Sequence, residues 1–166
     1  MDRKIDIAVY VALILGIVLT LGFIFGNSLK GPAESMEQSN TVVEIIRPII
    51  DPHGKMSDDE ISHLVRKSGH FIEYMILGGE CALLAYYVKR RLTLAGAVCA
   101  AGGCLLSADI DEYIQSFTGR GSMVSDVLLD FLGAVTGIAI GFAVSILPQS
   151  MTAIARQTYL VRFAVR

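Results

Sequence analysis

Apolar residues in this chain fall in blocks separated by short polar stretches. The first block runs from about Ile5 to Phe25, and a second opens near His70 and ends at Lys89-Arg90-Arg91. A third extends from Leu92 to about Ala108, and a fourth from Val124 to Leu147, where Pro148 is expected to stop it. Each is close to the roughly 17–25 residues that carry a helix across about 30 Å of hydrocarbon. Backbone polar groups in lipid must be satisfied within their own segment, so these blocks are expected to be helices. Between the first two blocks, Val42, Val43, Ile45, Ile46, Ile49 and Ile50 recur at roughly helical spacing, which predicts an amphipathic helix lying on the membrane or over the bundle. Asp51-Pro52-His53-Gly54 reads as a turn, and Ser57 with Glu60 three residues later reads as a capping box. A helix starting there can run directly into the second span. The expected fold is all-α, an integral membrane bundle of four transmembrane helices with an amphipathic extracytoplasmic helical segment between the first and second. Residues 1–147 form the transmembrane domain, with spans near 5–25, 70–88, 92–108 and 124–147, and residues 148–166 a basic cytoplasmic tail, either an interfacial helix or disordered.

Composition supports the same class. Hydrophobic residues make up 53% of the 166 residues and charged ones 18%, against about 25% charged in soluble domains. Mean hydropathy is +0.57. The net charge of -2 and the lack of a large basic patch give no reason to expect nucleic acid as a partner. Cys81, Cys99 and Cys104 lie inside apolar blocks without a CxxC pair, which argues for packing rather than a disulfide framework. About 21 apolar residues exceed the 7–15-residue core of a signal peptide, so the first block is expected to stay as a span. Arg3 and Lys4, the Lys89-Arg90-Arg91 connection, and Arg156, Arg162 and Arg166 fall on one side of a four-span bundle. The positive-inside rule makes that side the cytoplasm and predicts that both termini are cytoplasmic.

Ionisable residues in membrane helices are costly and tend to face the bundle interior, pair, or mark a site. Arg66, His70, Glu73, Leu77 and Glu80 step by 4, 3, 4 and 3, one stripe of the second span. Asp111 and Gln115 share a face at the end of the third span, with Glu112 beside them. Asp126, Asp130, Gly133, Gly137 and Gly141 form a stripe on the fourth, whose glycines permit close helix contact. Under this topology the three sets approach one another near the outer face. Arg66, Lys67 and Arg120 either neutralise the carboxylates or hold an anion.

The order Arg66-Lys67-x-x-His70-Phe71-x-x-Tyr74-x-x-Leu77 resembles the first signature of the VanZ-like membrane proteins. Asp111-Glu112-x-x-Gln115-x-Phe117-x-Gly119-Arg120 resembles the second, and Ser122-x-x-x-Asp126-Val127 with Asp130, Gly133 and Gly137 the third. Ser28 after the first span also fits, and the resemblance covers roughly residues 5–147. Thr118 stands where the family often has proline, and Asp130 where asparagine is common. The resemblance implies a bacterial plasma-membrane protein with a role in reduced susceptibility to the glycopeptide teicoplanin, and it supplies no reaction.

Three functions compete. A polar outer-face site could bind the lipoglycopeptide, a membrane lipid or a lipid-linked cell-wall precursor through Ser28, Arg66, Lys67, Glu73, Tyr74, Asp111, Gln115, Arg120 and Asp126. An intramembrane enzyme would use His70 and Glu112 as acid and base, with Ser28 a weak nucleophile candidate. A small transporter would depend on Glu80, the deepest charge. No cofactor and no resident metal is expected. His70 with Glu73, Glu112 and Asp126 has suitable metal-ligand types, but no paired-histidine motif accompanies them.

Overall fold

The computed structural model describes residues 3–89 and 93–164, with side chains described for 7–88 and 93–144. Among the described residues there are five helices and no strand: α1 (Arg3–Ser28), α2 (Pro32–Ile50), α3 (Asp58–Lys89), α4 (Leu94–Phe117) and α5 (Val124–Ala164). All but α2 contain a stretch long and apolar enough to cross a membrane, which makes the chain a multi-pass membrane protein. Arg90, Arg91, Leu92 and Arg166 lie outside the described residues, as do the side chains of Arg3, Lys4, Lys89, Arg156 and Arg162.

Three helices run well past their apolar blocks. α3 is one continuous helix from Asp58, not from His70, and its start is the capping box read from the sequence. Ser57 N donates to Glu60 Oε2 at 2.8 Å and Glu60 N to Ser57 Oγ at 3.3 Å. α4 continues beyond Ala108 to Phe117, because Asp111, Glu112 and Gln115 face inward onto polar partners. It stops where Gly119 (φ 78°) and Gly121 (φ 77°) take left-handed conformations. α5 does not end at Pro148 but is helical to Ala164. Proline there removes one backbone donor without terminating the helix.

α2 turns a narrow face of Ser35, Ser39 and Val43 onto α3. Val42, Ile45 and Ile49 remain 42%, 69% and 78% exposed, so most of its apolar side points away from the bundle. Its end is tied to the start of α3 by an Arg47–Asp58 ion pair. The turn after it is closed by Gly54 N donating to Asp51 O at 3.1 Å. Asp51 accepts from Met56 N and Lys55 N, and these backbone donors hold its carboxyl below the usual aspartate range.

The most extensive helix contact is α3 against α5. A Cβ at Gly137 would overlap the Met75 carbonyl, one at Gly133 the Phe71 carbonyl, and one at Gly78 the Ala134 carbonyl. The two backbones touch, as small-residue stripes allow in membranes. Around this seam Ile24, Tyr74, Leu77, Cys104, Ala108 and Ala134 form the core, and Ala82, Ala100 and Ile138 a second cluster. All three cysteines are free.

Candidate functional site

The C-terminal ends of α1 and α4 and the N-terminal portions of α3 and α5 meet at one end of the bundle, and the polar residues gather there. At the centre Asp111 is fully buried. Its Oδ1 accepts from Ser28 Oγ at 2.5 Å and its Oδ2 from Gln115 Nε2 at 2.9 Å. Gln115 Nε2 also donates to Glu112 Oε1 at 3.0 Å, and Glu112 Oε2 accepts from Met123 N at 3.0 Å. Glu112 therefore fastens the connection after α4 onto that helix. Thr118 Oγ1 donates to Ser28 O at 3.2 Å, joining the ends of α1 and α4.

On the other side stand α3 and α5. Lys67 Nζ donates to Asp126 Oδ1 at 2.7 Å. His70 Nδ1 lies 3.7 Å from Asp111 Oδ2 and 3.7 Å from Asp130 Oδ1, too far for a hydrogen bond. Neither Asp130 oxygen has a hydrogen-bond partner, although the residue is 0% exposed. The glycine seam sets these distances, because it presses the start of α5, with Asp126 and Asp130, against α3 around Lys67 and His70.

Above this layer a cavity of about 240 Å³ is lined by His63, Arg66, Lys67, His70, Glu112, Gln115, Arg120, Asp126 and Asp130, among others. A smaller one, of about 150 Å³, lies between α2 and α3 and shares Arg66, His70 and Arg120 with the first. Among the described residues, neither Arg66 nor Arg120 forms an ion pair. Arg120 Nη1 reaches only the Asn27 carbonyl, at 3.3 Å. Burial, and then the like charge of Arg66, pull the Arg120 guanidinium below its usual value. Two guanidiniums thus border the same cavities, neither in an ion pair among the described residues, although Asp111, Glu112 and Glu73 attract Arg120 from longer range.

A model of the VanZ/LLP1 family matches residues 9–146. The chain belongs to the VanZ/LLP1 family. No curated protein and no solved structure matches it.

The residues singled out from the sequence divide by position. Arg66, Lys67, His70, Glu112, Gln115, Arg120 and Asp126 line the larger cavity. Asp111 and Ser28 lie buried beneath it, with Ser28 committed to Asp111. Glu73 faces the smaller cavity, where Oε1 accepts from Asn27 Nδ2 at 3.1 Å. Tyr74 is not a lining residue: it is fully buried in the core, its hydroxyl 3.4 Å from Ser107 Oγ. Glu80 packs against Gly16, away from the cluster. Three residues complete the arrangement without being singled out as ligands from the sequence: Asn27, His63 and Asp130. His63 precedes Arg66 by three positions and His70 by seven, so the α3 stripe extended one turn upstream would have found it. Asn27 carries no periodic signal, and only the fold brings it to Glu73 and Arg120.

Proposed function

We propose that this cavity binds the phosphate or carboxylate of a headgroup at the outer face of the bacterial plasma membrane, and that its occupancy underlies reduced teicoplanin susceptibility. The observation that carries the reading is the pair of guanidiniums, Arg66 and Arg120, that form no ion pair among the described residues and border one cavity between helices long enough to span a membrane. Both are only half-buried, which leaves their guanidiniums open to a phosphate or carboxylate, the groups that arginine contacts bidentately. Gln115 and Glu112 add groups able to contact sugar or amide atoms. A lipid, a lipid-linked wall precursor and the acylated drug all offer this chemistry.

The test has two arms. Protein in nanodiscs is titrated with phosphatidylglycerol, with a polyprenyl diphosphate and with teicoplanin, using Arg66→Gln, Arg120→Gln and wild type. A charge-assisted hydrogen bond contributes about 1.5–3 kcal/mol, so each variant should bind its ligand roughly 10–100-fold more weakly. In a sensitive Gram-positive host, wild type should raise teicoplanin resistance relative to vancomycin, and equally abundant variants should not. Unchanged affinities for all three probes would remove the headgroup reading. A wild type that binds but gives no resistance would keep the site and discard the drug phenotype.

A further inference from the structure

Beneath the guanidiniums the chemistry changes sign. His70 Nδ1, an Asp111 oxygen and an Asp130 oxygen come from three different helices and lie within 4.8 Å of one another. His70 Nδ1 stands 3.7 Å from an oxygen of each carboxylate. Donors bound to zinc at about 2.0–2.1 Å in a tetrahedron stand roughly 3.3 Å apart, so small side-chain rotations close the set around one ion.

Asp130 is the observation that a purely structural account leaves unexplained. Both its oxygens are buried and accept no hydrogen bond, and His70 Nδ1 is likewise buried and unpartnered. Among the described residues no lysine or arginine pairs with Asp111 or Asp130, and Lys67 is spent on Asp126. Two carboxylates facing one imidazole without a counter-charge is an arrangement that burial penalises by several kcal/mol per unpaired ion. A divalent cation would satisfy all three groups at once.

The surroundings are also those of a ligand set held in place. Ser28 and Gln115 fix both oxygens of Asp111, the outer layer that orients a metal ligand. His70 and Asp130 border the cavity as well as the cluster, which leaves a coordination position facing open space. We propose that His70, Asp111 and Asp130 bind one divalent transition-metal cation at the floor of the cavity. The mixed nitrogen and oxygen donors favour zinc or manganese over magnesium, which prefers oxygen ligands and retained water. The proposal does not depend on the headgroup reading, since the ion can be measured with no lipid ligand added.

The full-length protein in detergent is stripped with EDTA and titrated calorimetrically with zinc, manganese and magnesium chloride in turn, with bound metal counted by mass spectrometry. Wild type should take about one equivalent of zinc or manganese. Asp130→Asn and His70→Gln should each weaken binding by about 10–100-fold or more, since even residues behind a ligand cost that much. Glu80→Gln should bind as wild type does. If Asp130→Asn fails to stay monodisperse, His70→Gln and the wild-type stoichiometry still decide. No uptake by wild type at millimolar metal overturns the proposal and leaves a protonated His70 as the counter-charge. Equal uptake by the variants also overturns it, placing the metal elsewhere.

Discussion

Ser28 shows how a single side chain can look catalytic in sequence and prove structural. A serine just past a span, near histidine and carboxylates, is a nucleophile candidate by residue type. In the fold its hydroxyl is fully buried and donates to Asp111 at 2.5 Å, away from both cavities. Its proton is already committed to a carboxylate that Gln115 also holds. Removing a hydrogen bond to a charged acceptor costs about 1.5–3 kcal/mol. Ser28→Ala is therefore expected to lower stability by about 2 kcal/mol in a detergent unfolding titration while headgroup affinity stays unchanged. Wild-type stability with lost binding would reverse that assignment. Glu112 follows the same logic. Both its oxygens accept hydrogen bonds, from Gln115 and from Met123 N, so it anchors the connection before it can serve as a base.

Among the helices, the contact that matters most is the seam between α3 and α5, because it sets how far His70 stands from Asp130. Gly137 sits where an added methyl would overlap the Met75 carbonyl, an atom that cannot move without shifting α3. Gly102 on α4 has nothing within 4 Å of its Cβ position. Gly137→Ala should cost about 1–3 kcal/mol through overpacking. Gly102→Ala should be neutral or gain about 0.5–1 kcal/mol, since alanine suits a helix interior better than glycine. Thermal unfolding in detergent separates the two, and equal shifts would mean the backbones do not touch. The seam was legible in advance because glycines spaced by four residues fall on one helix face and permit close helix contact. The α3 stripe and the Ser57–Glu60 cap were legible for the same reason: regular spacing reports local geometry. The extent of α4 was not. Hydropathy alone ends the block near Ala108, and although Asp111 and Gln115 read as sharing a face just beyond it, the partners that hold this turn, Ser28 and His70 at Asp111 and Met123 N at Glu112, come only with the assembled bundle. α2 was half legible, since its apolar residues announce an amphipathic helix but not that Ser35, Ser39 and Val43 are the ones turned inward.

At the scale of the whole molecule, polarity among the described side chains is one-sided. The ends of α1 and α4 and the starts of α3 and α5 carry the charged cluster. At the opposite end the core is Ala82, Ala100 and Ile138. The groove there, of about 440 Å³, is lined by Leu84, Ala85, Val88, Cys99 and other small or apolar residues. Glu80 lies between the two ends and packs against Gly16 rather than leading a polar path onward. Ion or solute passage would require polar groups to continue through the bundle, so this distribution favours a site open to one face over a transport route. The basic residues of the sequence predict which face that is, and the answer decides whether the site can meet a glycopeptide. If the termini are cytoplasmic, the turn at Lys55 and the connection at Gly121 are outside, and the cavity meets the outer leaflet where a glycopeptide acts. Alkaline phosphatase fused after Lys55 or after Gly121 should then be active, since it folds only outside the cytoplasm, and a fusion after Arg90 should be inactive. A fluorescent protein that matures only in the cytoplasm should give the reverse pattern. The opposite result would turn Arg66 and Arg120 toward the cytoplasm. They could still hold an anionic headgroup there, but not one that meets teicoplanin, and the resistance reading would fall even though every distance in the site stayed the same.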